Sequence, residues 1–153
     1  RPRRPRKPRA QTVKIAFICV ANSARSQMAE AMARAMAPRG VKIYSAGSKP
    51  ASVHPLCVQA MKEVGLDVSR HQAKHLEVLP SDINVFIRLC DEEDCPVGEP
   101  GSEKHHWPIA DPAPSTIASD DAEALKQFRK AREELRIHLQ TYFRRMEDSP
   151  VPD

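Results

Sequence analysis

Cys19 is followed by Arg25 and Ser26 in the run Cys19-Val20-Ala21-Asn22-Ser23-Ala24-Arg25-Ser26. That spacing lets one short loop both bind an anion and attack it. Before the run lies Val13-Lys14-Ile15-Ala16-Phe17-Ile18, a continuous apolar, β-rich stretch that reads as a buried parallel strand over 13–19. After it, Met28, Met32 and Met36 recur every four residues among alanines, which predicts an amphipathic helix over about 25–37. A loop between strand and helix turns successive backbone N–H groups inward, and the positive end of the helix dipole points into the same space. A tetrahedral oxyanion fits such a cradle, with the amides of Val20, Ala21, Asn22, Ser23, Ala24 and Arg25 as donors. Beneath it, Cys19 is expected as a thiolate, favoured by the same donors and by the Arg25 guanidinium.

Positioning those groups requires an alternating α/β chain. Strands are expected at 13–19, 41–45, 84–89 and near 105–107. Helices are expected at about 25–37 and 54–64, with a long last one starting near Ser119. The pattern is that of an α/β fold with a parallel sheet. The second helix carries Cys57, Ala60, Met61 and Val64 on one face and stops at Gly65, so Cys57 reads as structural. In the last helix, Leu125, Phe128, Leu135, Leu139, Tyr142 and Met146 form the apolar stripe. Asp120 and Asp121 at its start and Arg144 and Arg145 at its end match the dipole.

The strands of a parallel sheet end on one edge, where ligands bind. Cys19 closes the first strand and Cys90 the third. If those strands are neighbours, two sulfurs come within reach of a disulfide after modest loop movement. Cys95 follows across Asp91-Glu92-Glu93-Asp94, an acidic stretch that implies a solvated loop and an exposed second thiol suited to disulfide exchange. A zinc site from Cys90, Cys95, His105 and His106 is disfavoured, because adjacent histidines on a strand point to opposite faces. No metal and no cofactor is expected. Histidines 54, 71, 75 and 138 read as surface or capping groups. Asp111-Pro112, after the fourth strand, puts a carboxyl on the same edge, where it can serve as general acid.

At 153 residues the chain fits one domain, long enough to bury about 68–70% of its unfolded surface. No apolar run approaches the length of a membrane span or a secretory leader. The net charge of +4 is set by Arg1, Arg3, Arg4, Arg6, Lys7 and Arg9, without which the chain is net acidic. Residues 1–11 are expected as a disordered basic tail, a linker or arm in a cut-out piece, with the domain at 12–148 and a frayed end at 149–153. The tail has no interleaved aromatics, so no nucleic-acid partner is expected. The cysteines at 19, 57, 90 and 95 lack the spacing of a secreted disulfide framework, which favours a reducing cytoplasm.

Cys19-x5-Arg25-Ser26, Gln27-Met28-Ala29-Glu30, Tyr44-Ser45-Ala46-Gly47, Leu89-Cys90 with Cys95-Pro96, and His106-Trp107 with Asp111-Pro112-Ala113 together resemble the arsenate reductases built on the low-molecular-weight tyrosine phosphatase fold. The match runs in order from residue 13 to about 146, and the resemblance implies an α/β fold with a four-stranded parallel sheet flanked by helices. The resemblance implies Cys19 as nucleophile, Arg25 and the loop amides as oxyanion clamp, and Ser26 as hydrogen-bond donor to the thiolate. It also implies Asn22 as loop organiser, Asp111 as general acid, and Cys90 and Cys95 as a redox relay. Implied partners are arsenate, with phosphate or sulfate competing, and thioredoxin or a similar thiol reductant acting on a monomer. The spacing of Cys90 and Cys95 is shorter than in some relatives. Some relatives bind potassium through groups matching Asn22, Glu30 and Ser45 plus an Asp. Lys74 falls at the place of that Asp, and its ammonium is expected to supply the charge instead. The alternative function is a low-molecular-weight protein tyrosine phosphatase acting on aryl phosphates through a Cys19 phosphoenzyme. Ala113-Pro114 stands where aromatic residues would line a phosphotyrosine slot.

Overall fold

The computed structural model describes residues 12–91, 95–113 and 121–148. The expected basic tail, the expected frayed end and the start of the last helix near Ser119 lie outside these residues. Val13–Cys19 forms β1, Arg25–Met36 α1, Val41–Gly47 β2 and Pro55–Lys62 α2. Then come a single 3-10 turn at Leu76–Val78, β3 at Val85–Arg88, β4 at Glu103–His106 and α3 at Asp121–Asp148. The strands make one sheet in the order β2-β1-β3-β4, and every pairing is parallel. Cys19, Gly47, Arg88 and His106 therefore all end on one edge.

β1 is one of two inner strands, and its burial on both sides makes the fold. Ile15 and Phe17 face the larger core with Ile43, Val85, Ile87 and Leu89. That core is closed by Met28 and Met32 of α1, Cys57, Ala60 and Met61 of α2, and Leu125, Phe128, Leu135, Leu139 and Phe143 of α3. The alternate residues Ala16 and Ile18 face a smaller cluster with Phe86 and Ile83, bordered by Tyr44, Leu76 and Leu79, as the two-residue period of a strand requires. The α3 stripe differs from the sequence expectation at its end. Phe143 is buried, whereas Tyr142 and Met146 are only partly covered, because Phe143 lies one turn beyond Leu139 on the inward face. Among the described residues, no helix is long and apolar enough to cross a membrane.

Two ion-paired arginines of α3 fasten it to the end of α2. Arg129 donates to both Glu63 carboxylate oxygens, and Arg132 donates to Glu63 at 2.9 Å and to the Ala60 carbonyl at 2.8 Å. The two guanidinium groups hold the Glu63 carboxyl well below its usual range, at about 2.

Candidate active site

Loop 19–24 is shaped by what takes its carbonyls. Ser48, Lys49, Ala51 and His54 donate their backbone N–H groups to the carbonyls of Cys19, Val20, Ala21 and Ser23, at 3.3, 2.8, 2.9 and 2.9 Å. With the carbonyls committed to the outside, the loop amides are left to turn inward. Asn22 sits at φ +48°, in the left-handed region that asparagine tolerates better than most residues. The approach is so close that a side chain on Gly47 would strike the Val20 carbonyl oxygen and come within 2.9 Å of the Asn22 nitrogen. At the start of α1, Ala24 supplies no side-chain cap and the first turn holds no acidic residue. The uncapped N–H groups and the positive dipole end are thus open to an anion.

The Cys19 sulfur lies at the floor, 2% exposed. The Asn22 amide donates to it at 3.3 Å, and the Ser26 hydroxyl is 2.9 Å away. Asn22 Nδ2 donates to Ser26 Oγ at 2.7 Å, so the hydroxyl's own proton is available for the sulfur. The support continues outward: Asn22 Nδ2 also donates to Ser45 Oγ at 3.0 Å, and Ser45 Oγ donates to Glu30 Oε1 at 2.8 Å. Glu30 is buried, yet Lys74 Nζ lies 3.7 Å from one of its oxygens, and His71 and Arg34 lie at 3.5 and 3.7 Å from the other. The Lys74 amide and Gln27 Nε2 both donate to Asn22 Oδ1, at 2.8 and 3.0 Å, so every polar atom of the Asn22 side chain is fixed.

Above the sulfur is an open pocket of about 250 Å³ lined by Cys19, Val20, Ala21, Ser23, Ala24, Arg25 and Asp111. Asn22 is the expected anion donor that does not line it; its amide is turned to the sulfur and its carboxamide to Ser26 and Ser45. Arg25 is buried, donates to the Ile109 carbonyl at 2.9 Å and lies 3.6 Å from Asp91 Oδ1. Asp111 is exposed at the rim, where the Ala113 amide donates to its Oδ1 at 2.9 Å.

Cys90 and Cys95 are joined as a disulfide and pack directly against Cys19, while Cys19 and Cys57 are free. Strand neighbours β1 and β3 bring Cys19 and Cys90 together. Cys95 departs from expectation: it is 6% exposed, not on the surface. Bonding to Cys90 draws it inward, and Gly98 lies so close to the Phe86 ring that the segment after Cys95 is held down on the sheet. Cys57 is fully buried, and burial pushes its thiol up to about 12. His54 and His75 cap α2 and the 3-10 turn, each accepting a backbone N–H at its Nδ1. Sequence reasoning from the residues alone did not single out Gln27, Ser45 or His71 as supports, because their roles rest on contacts with Asn22, Glu30 and one another that only the folded chain makes.

The model of the low molecular weight phosphotyrosine protein phosphatase family matches residues 14–150. The chain belongs to this family. Within it, an arsenate reductase from Staphylococcus aureus is 33% identical over 134 residues, covering 84% of this chain and 94% of that protein. Among solved structures, an arsenate reductase in the phosphate-binding state superposes with a TM-score of 0.68 at 27% identity, over 87% of this chain and 98% of that one. A thioredoxin-dependent arsenate reductase from Corynebacterium glutamicum superposes with a TM-score of 0.57 at 27% identity, over 89% of this chain and 66% of that one. The family resemblance drawn from the sequence motifs holds, and so does the four-stranded parallel fold.

Proposed function

We propose that this protein is an enzyme that reduces arsenate to arsenite, with Cys19 as nucleophile and Cys90 and Cys95 as a disulfide relay. One observation carries the reading: a free cysteine at the floor of an anion pocket packs against two further cysteines already joined to each other. Phosphate-ester hydrolysis requires only the first sulfur. The names of the relatives, including a thioredoxin-dependent one, agree with this reading. A phosphotyrosine phosphatase is the weaker alternative, because among the described residues none that lines the pocket is aromatic.

Arsenate has the shape and charge of phosphate, and either anion, or sulfate, would settle among the amides of Val20, Ala21, Ser23, Ala24 and Arg25 and the Arg25 guanidinium. The Cys19 thiolate, held by Ser26, attacks arsenic(V). A sulfur–arsenic bond forms, and hydroxide departs as water with a proton from Asp111. Cys90 then attacks the Cys19 sulfur. The sulfur–sulfur bond forms, the sulfur–arsenic bond breaks, and its electron pair stays on arsenic, which leaves as arsenite(III). Two thiols have lost two electrons and arsenic has gained two. Cys95 next attacks Cys90 and frees Cys19. The Cys90–Cys95 bond is the one on which this sequence ends, and thioredoxin or a similar dithiol would reduce it. All of these groups come from one chain, so a monomer suffices, and the chemistry suits the reducing cytoplasm. The expected domain, 12–148, contains every one of them.

The test is arsenite production from arsenate with thioredoxin, thioredoxin reductase and NADPH. Wild type turns over and Cys90→Ser does not, while Cys90→Ser still hydrolyses p-nitrophenyl phosphate. Equal arsenate turnover by both proteins would overturn the relay.

A further inference from the structure

β4 is a polar edge strand, Glu103-Lys104-His105-His106, with β3 alone beside it among the described residues. Its two histidines divide between faces, as neighbours on a strand must. His105 stands edge-on to Tyr142 of α3, at 5.4 Å between ring centres. His106 registers against Arg88 of β3 and reaches past the strand end, its Nε2 donating to the Cys90 carbonyl at 2.7 Å. A carbonyl oxygen only accepts, so Nε2 carries the proton in this contact.

The place of that bond in the fold gives it meaning. The residue before Cys90 is tied twice into the sheet: Leu89 donates its amide to the Ile18 carbonyl at 3.0 Å and accepts from the Ile109 amide at 2.9 Å. Cys90 is the next residue, where the sheet gives way to the segment that must present a sulfur first to Cys19 and then to Cys95. The carbonyl of Cys90 fixes the peptide plane that follows its α-carbon, and that plane is coupled to the direction of the Cβ–Sγ bond. His106 itself is exposed, so its ring fills no core and this hydrogen bond is the specific work of the side chain.

We propose that His106 is a positioning residue of the relay: its imidazole holds the Cys90 peptide so that the Cys90 sulfur is aimed at Cys19 when arsenic is bound. The inference rests on the arsenate reading above. It separates two activities at one site, because aryl phosphate hydrolysis uses Cys19 and never calls on Cys90.

The experiment adds one equivalent of arsenate to fully reduced protein without an external reductant. It follows formation of the Cys90–Cys95 disulfide by quenching with an alkylating agent and mass spectrometry. Loss of one well-formed hydrogen bond from a positioned nucleophile predicts that His106→Ala forms this disulfide about tenfold more slowly than wild type. In His106→Gln, whose side-chain N–H can reach the same carbonyl, the rate returns to within about threefold of wild type. Both variants hydrolyse p-nitrophenyl phosphate at the wild-type rate. The inference is overturned if His106→Ala forms the disulfide as fast as wild type, or if His106→Gln is as slow as His106→Ala. It is also overturned if phosphate-ester hydrolysis falls in parallel, since the imidazole would then shape the whole site. Wild-type protein that keeps all its thiols after arsenate refutes the arsenate reading, and the inference with it.

Discussion

Ser26→Ala removes one hydroxyl group from the site and little else. Ser26 is fully buried, its Oγ lies 2.9 Å from the Cys19 sulfur, and its lone pair is already occupied by Asn22 Nδ2 at 2.7 Å. The hydroxyl is thereby oriented to give its proton to sulfur. Alanine keeps the backbone and nearly the same volume, and Asn22 Nδ2 retains its bond to Ser45 at 3.0 Å. What is lost is a hydrogen bond to a charged acceptor away from water, which contributes roughly 1.5–3 kcal/mol. Expressed as a rate, that is about 10- to 150-fold. The assay is alkylation of Cys19 by iodoacetamide near neutral pH, with Cys90 and Cys95 left oxidised. Cys57 does not interfere, because burial pushes its thiol up to about 12. The variant should react slower by that factor and lose p-nitrophenyl phosphate hydrolysis to a similar degree. An alkylation rate equal to wild type would refute the claim that Ser26 stabilises the sulfur anion.

Gly47→Ala should weaken phosphate binding, measured by calorimetry, about 10- to 100-fold. The new methyl meets backbone atoms of Val20 and Asn22 that cannot rotate away, so the anion loop itself must shift. Glu63→Gln should lower the melting temperature only where Glu63 is ionised. Its carboxyl is held at about 2 by Arg129 and Arg132, below its ordinary 4.5. The stabilisation is therefore complete above about pH 4.5 and fades as pH falls toward 2, so the melting curves of the two proteins should converge in acid. Replacing sodium by potassium at fixed ionic strength should leave arsenate turnover unchanged, because the Lys74 ammonium already lies 3.7 Å from Glu30 and donates to the Gln72 carbonyl at 3.1 Å. A strong rise specific to potassium would refute that assignment.

The parts of the fold that could be read in the sequence are those whose burial leaves a pattern. β1 is apolar on both sides because it is covered on both, and the methionines of α1 fall on the one face that meets the sheet. β4 was harder to place. Glu103–His106 has no apolar residue, because an edge strand gains its place through backbone bonds to β3 and not through its side chains. The 3-10 turn at Leu76–Val78 is too short to leave a period. Around the sulfur, Cys19, Arg25, Ser26 and Asp111 were legible because a strand, a loop and a helix fix their spacing, and the pocket gathers Cys19, Arg25 and Asp111. The burial of Cys95 was not, since its acidic neighbours pointed to solvent while its bond to Cys90 and the packing of Gly98 on Phe86 decided otherwise. The hydrogen bond of His106 leaves no mark in the sequence for a related reason. It reaches a carbonyl 16 residues away, and carbonyls have no signature in a sequence.

The central claim is that oxidation passes through the three clustered sulfurs in a fixed order, and Cys95→Ser tests it most directly by stopping the relay halfway. After reduced Cys95→Ser protein is mixed with arsenate, peptide mapping should find one equivalent of arsenite released and a disulfide between Cys19 and Cys90, with Cys57 still free. Arsenite released with Cys19 and Cys90 both remaining as thiols, or a disulfide that includes Cys57, would contradict the account.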